Sequence, residues 1–134
     1  MLKFTEAWTV RKLSGTDYWI VAEPFVWWII YGAQRENDRH VIVPGGFLTN
    51  FGSIPRVFWW IFNPTEWNAY VLHDFLYSSQ YNEDRHECDL ILYEALVAEG
   101  CNKVTAAIIY AALFMFGRKA WDGYGENVCI LTKN

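Results

Sequence analysis

The chain has 134 residues, 53% of them hydrophobic and 19% aromatic, so it is long enough for one domain with a well-stocked core and too apolar for disorder. Its formal charge of −4, without any cluster of Lys or Arg, excludes a binder of phosphate backbones, whose affinity requires several phosphates to be neutralised together. Nucleic acid is therefore not an expected partner, and one domain covering residues 1–134 is the expected organisation.

The N-terminal stretch, residues 1–13, carries charges and no apolar run, so a secretory signal is not expected. Residues 3–13 and 18–31 are rich in Thr, Val, Ile, Trp and Tyr and flank the turn-forming Ser14, Gly15, Thr16 and Asp17, a strand, turn, strand pattern. A third strand is expected over residues 39–43, stopped by Pro44, Gly45 and Gly46. These strands predict a small antiparallel sheet. The apolar runs 25–30 and 58–62 admit two readings: core filling, or a docking surface exposed to neighbouring proteins.

The second half changes period. Asn63, Pro64 and Glu66 combine a cap residue, a proline at the first helical position and an acid in the first turn, so a helix is expected from there to about Ser78. A second spans residues 83–99, closed by Gly100, and a third, capped by Asn102, runs from 103 to about 118. Asp84 and Glu87 fall in the first turn of the second helix, where acids favour the dipole. Residues 106–116 form the longest apolar run, about half of what a bilayer crossing requires, and read as a core helix. The fold class expected is α+β: an N-terminal antiparallel sheet followed by an antiparallel helical hairpin and a third, C-terminal helix. Cys88, Cys101 and Cys129 are an odd set with no C-x-x-C spacing and read as free thiols in a reducing compartment.

The short link at 79–82 makes the first two helices a hairpin, in which residues equally distant from the turn lie at one level. His73 and Asp89 are each eight positions from Tyr81, and both sit on largely apolar stripes, Ala69, Tyr70, His73, Leu76 and Tyr77 on one helix and Asp89, Leu92, Tyr93 and Leu96 on the other. They are the candidate reactive pair. An imidazole held by a carboxylate is a common water-activating base, and it is equally a common structural hydrogen bond between packed helices. Asp74 points about 100° away from His73 and could hold a cation or a backbone amide. His40 and His86 lack such a pattern and read as solvated.

Residues 46–60, which include Asn50, Phe51, Gly52 and Pro55, together with residues 71–77 around His73 and Asp74, Glu87 to Asp89, and Gly117, Ala120 and Trp121, resemble the domain of unknown function 1353 family of phage and prophage proteins. The resemblance implies a phage setting, hence localisation in the virion or the bacterial host cytoplasm and contact with other phage proteins, and it supplies no mechanism. Residues 73–77 are also similar to the His-Asp-x-x-Tyr helix of bacterial and fungal phospholipase A2 enzymes. That likeness implies His73 as base, Asp89 as its orienting acid and Asp74 as a calcium ligand beside loop carbonyls at 49–52, with Asn50 standing where the phage family has Asp. A neutral amide there weakens a calcium site, since carboxylate count governs affinity for hard cations.

Two functions follow from different classes. One is a virion-associated structural or adaptor protein of the tail, baseplate or neck, docking through its aromatic segments, with self-association as a further option. The other is a small phage-encoded ester hydrolase using His73 and Asp89. No nucleophile or oxyanion device stands out, which favours the first.

Overall fold

The computed structural model describes residues 10–28, 40–51, 54, 58–59 and 67–124. Strands come first and helices after: β1 (Val10–Lys12), β2 (Trp19–Val21), β3 (Phe25–Trp28), β4 (His40–Val43) and β5 (Leu48–Thr49), then α1 (Asn68–Ser79), α2 (Arg85–Glu99), α3 (Lys103–Phe116) and α4 (Arg118–Tyr124). This is the α+β order expected from the change of hydrophobic period.

The strands divide into two sheets. β2 pairs antiparallel with β1 and β5, whereas β3 pairs antiparallel with β4. The continuous strand expected over 18–31 is therefore broken after Val21. Pro24 has no N–H to give a ladder, and the Val21 backbone is already bonded to Phe47 O at 2.9 Å and Gly46 N at 2.7 Å. The chain thus changes sheets at Ala22–Pro24, and β5 returns beside β2. In β4, Val41 and Val43 are buried while His40 and Ile42 are exposed, the alternation of a strand with one face on the core. Phe25 and Trp27 are fully buried, so the docking reading of those two residues is corrected: they fill the core because β3 packs that face inward. Residues 29–30 and 60–62 of the same runs lie outside the described residues.

The first long helix starts later than expected. Trp67 is extended and supplies no side-chain cap, so α1 opens at Asn68, and residues 63–66 lie outside the described residues. Its first N–H groups are met from a distance: the Glu99 carboxylate at the end of α2 accepts from Asn68 at 3.0 Å and from Ala69 at 3.4 Å. An acid at a helix N-terminus satisfies orphan donors and opposes the dipole, and here the antiparallel hairpin delivers it.

The remaining ends follow local rules. Asp84 caps α2 by accepting from Glu87 N, Gly100 closes it in the left-handed region at φ 106, and Asn102 accepts from Val104 and Thr105 N–H to start α3. The third helix ends at Phe116, two residues short of the expected end, and α4 continues the chain after Gly117 as a separate short helix. Among the described residues no helix is long and apolar enough to cross a membrane. Cys88 and Cys101 are buried free thiols, and Cys129 lies outside the described residues.

Burial pushes the carboxyls of Glu94 and Glu99 up to about 7, with the Asn68 and Ala69 N–H groups pulling Glu99 partly back. Both bind a proton more tightly when folded than at the ordinary value of 4.5, so their stabilising contribution is full below pH 4.5 and is lost as pH rises through about 7. Glu94 Oε2 has no hydrogen-bond partner among the described residues. Glu94→Gln should therefore raise the melting temperature at about pH 8 and leave it nearly unchanged at about pH 4.5. Equal shifts at both pH values, followed by circular dichroism, would show that ionisation is not the cost.

Candidate functional site

The hairpin brings His73 and Asp89 together. The link between α1 and α2 contains Gln80 in the left-handed region and a single 3-10 turn at Tyr81–Glu83, and the two helices pack against each other along their inner stripes. His73 Nε2 lies 2.8 Å from Asp89 Oδ1, and both side chains are 0% exposed. A carboxylate only accepts, so the imidazole directs its Nε2 hydrogen at Asp89.

Asp89 holds more than the imidazole. The Tyr77 hydroxyl donates to the same Oδ1 at 2.7 Å, and Arg85 Nη1 reaches Oδ2 at 3.5 Å. The same Nη1 donates to Leu113 O at 2.7 Å, and Nη2 donates to Phe114 O at 3.2 Å. The guanidinium thereby meets two late carbonyls of α3, of which Leu113 O also accepts the Gly117 N–H at 2.8 Å. Burial, and then the neighbouring negative charge of Asp89, push the Tyr77 hydroxyl well above the ordinary phenol value, which keeps it a proton donor. Its ring lies 4.2 Å from the His73 ring and meets the Trp121 indole edge-on at 5.2 Å.

Asp74 faces elsewhere, as its 100° offset requires. Its carboxylate is 1% exposed and accepts from the Thr49 hydroxyl of β5, whose oxygen in turn accepts from Phe51 N–H at 3.0 Å. Asp74 is thus the tie between α1 and the sheet. The calcium site implied by the phospholipase likeness does not fit these residues: one oxygen of Asp74 already accepts a hydroxyl, Asn50 brings no charge, and no group of three or more His, Cys, Asp or Glu suited to a metal ion occurs among the described residues.

Residues 19–113, more than two thirds of the chain, match the model of the family described as Protein of unknown function (DUF1353). The chain belongs to this family. No curated protein and no solved structure matches it. The matched span holds His73, Asp74, Tyr77, Arg85 and Asp89 of the DUF1353 chain, whereas Gly117 and Trp121, which complete the cluster, follow it.

The part of this cluster that sequence reasoning missed is Arg85. The i,i+4 spacing from Arg85 to Asp89 was a usable signal, but its bonds to α3 depend on packing. His40 and His86 are exposed, as expected, and His86 rests on the Phe114 ring at 4.8 Å. A surface cleft is lined by Glu83, Asp84, Arg85, His86, Arg118, Trp121 and Asp122. It meets the cluster at Arg85, which bonds Asp89, and at Trp121, which packs on Tyr77.

Gly117 sits where a side chain has no room. A Cβ there would lie 2.6 Å from Leu113 O, 2.7 Å from Tyr77 Oη and 3.0 Å from Arg85 Nη1. Its backbone is right-handed, at φ −76, so the constraint is space and not conformation. Gly→Ala in a helix ordinarily stabilises by about 1 kcal/mol. Here Gly117→Ala should destabilise by about 1–3 kcal/mol, the usual effect of overpacking, and a urea titration reads the sign directly.

Proposed function

We propose that this DUF1353 protein is a structural or adaptor component of a phage particle, of the tail, baseplate or neck, in which the His73–Asp89 cluster locks the helices and performs no chemistry. The observation that carries this reading is the complete burial of both groups together with the three donors that Asp89 collects. A general base must exchange protons with a water that reaches it, whereas a buried carboxylate that collects an imidazole, a phenol and a guanidinium meets the requirements of a stable interior ion. The phage setting, and with it the virion or host cytoplasm, rests on the resemblance of residues 46–60 and 71–77 to phage and prophage proteins. Contacts with neighbouring phage proteins fall to exposed apolar side chains, and of these the strand region offers Tyr18 and Ile42 in place of the buried Phe25 and Trp27.

One observation favours the second reading, an ester hydrolase: the 2.8 Å contact between His73 and Asp89 is the geometry a catalytic dyad uses. That reading requires a path by which water reaches the buried imidazole.

The two readings part on one pair of measurements. Under the structural reading His73→Ala leaves Asp89 buried without its imidazole, and stability in urea falls by about 3–5 kcal/mol. The wild-type chain releases no product from phospholipid micelles or short-chain esters, with or without calcium, and mass spectrometry finds the chain in purified particles. A wild-type protein that hydrolyses such a substrate, and a His73→Ala variant that melts like wild type yet is inert, would reverse the assignment.

A further inference from the structure

The third helix is apolar on the side that faces away from the protein. α3 turns Ala106, Ile109 and Leu113 inward, while Val104, Ile108, Phe114, Met115 and Phe116 are left 52–70% exposed. At 100° per residue Val104, Ile108, Ala111 and Met115 form one stripe, with Ala107 and Phe114 along one edge. No charged residue occurs between Val104 and Phe116. A surface helix normally carries its charges on this side, and one that is apolar all round is normally covered on all sides.

We infer that this face is the contact between two copies of the chain, packed α3 against α3 about a two-fold axis. The area fits. The exposed part of Val104, Ile108, Phe114 and Met115 with the two alanines beside them comes to roughly 500 Å², the size of the largest apolar patch on a typical monomer and the core of a standard interface of ~800 Å² per partner, while Phe116 lies off this face against Phe58. The shape and charge fit too. Ala107 and Ala111, one turn apart, thin the middle of the stripe and let a second helix backbone approach, and Ile108 and Met115 stand beside them as knobs. A face without charge meets its own copy with no like-charge repulsion, the condition that an isologous contact imposes on every residue. A lipid surface fits less well: interfacial helices oppose their apolar face with a Lys/Arg-rich one, whereas the opposite side of α3 is buried against α2, and the chain as a whole carries −4. This inference goes beyond the adaptor role and does not depend on whether His73 is catalytic.

The test uses the full-length chain in sedimentation equilibrium up to about 100 μM, with the double variant Ile108→Glu/Met115→Glu beside it. The wild type should approach twice the 15.7 kDa chain mass. The variant should dissociate at least about 100-fold more readily, since carboxylates would be buried unpaired at the contact. Its far-ultraviolet circular dichroism should be unchanged, because both side chains reach solvent in the single chain. A wild type that stays monomeric across the range overturns the proposal, and so does a dimer that the double substitution leaves intact. A monomer that floats with phosphatidylcholine/phosphatidylglycerol vesicles, and loses that binding in the variant, would assign the face to lipid and also overturn it.

Discussion

A carboxylate sealed inside a protein is the constraint around which this molecule is arranged. Asp89 has no access to water, and an ion in that position is tolerated only where donors replace its hydration. The donors come from both arms of the hairpin: His73 and Tyr77 from α1, and Arg85 from the first turn of α2 itself. Each must keep its position for the others to keep theirs. Arg85 extends the constraint outward by holding Leu113 O and Phe114 O, so the end of α3 is fixed by the same ion. Tyr77 extends it to α4 through Trp121, and the lack of a side chain at Gly117 makes room for both contacts. Four helices are thereby positioned from one buried charge, and Asp74 with Thr49 fastens the assembly to the sheet.

The sequence made the centre of this arrangement readable because the relevant rule is short-range. Once Gly100 and the polar link after Ser79 mark out a hairpin, equal rise per residue places position 73 opposite position 89, and the stripes through Leu76 and Leu92 point them inward. The caps at Asp84, Asn102 and Gly100 were readable for the same reason, since donor and acceptor lie within four residues. What escaped was set by partners far along the chain. The start of α1 is fixed by Glu99, thirty-one residues from Asn68, and no window on residues 63–70 contains that acid. The break at Pro24 was visible as a residue, but the decision to place β2 and β3 in different sheets belongs to Phe47 and Gly46, which claim the Val21 backbone.

The aromatic runs left two readings open for a related reason. Residues 25–28 are as apolar as any surface patch would need to be, and composition cannot distinguish a strand buried on the core from one offered to a partner. Pairing decides it: β4 lines up with β3 along its length and carries Phe25 and Trp27 into the interior. The exposed apolar surface falls instead on α3, whose sequence reads as a core helix because nothing in it marks an outer side. A helix that is apolar all round takes its orientation from its neighbours, and here the arc of Ala106, Ile109 and Leu113 is the buried one.

Burial and reactivity pull in opposite directions at the His73–Asp89 pair, and the balance bears on function. Packing an imidazole against Tyr77 fixes its orientation, which a catalyst also needs. The same packing leaves the imidazole without solvent exposure, whereas a base must meet the water that it activates. The cleft lined by Asp84, His86, Arg118 and Asp122 meets the cluster at Arg85. Arg85 bonds two carbonyls and a carboxylate, so a change at the guanidinium acts on the end of α3 and on Asp89 together. Among the described residues the buried charge is thus gathered at the helix cluster, and the large apolar side chains left exposed lie mostly on α3.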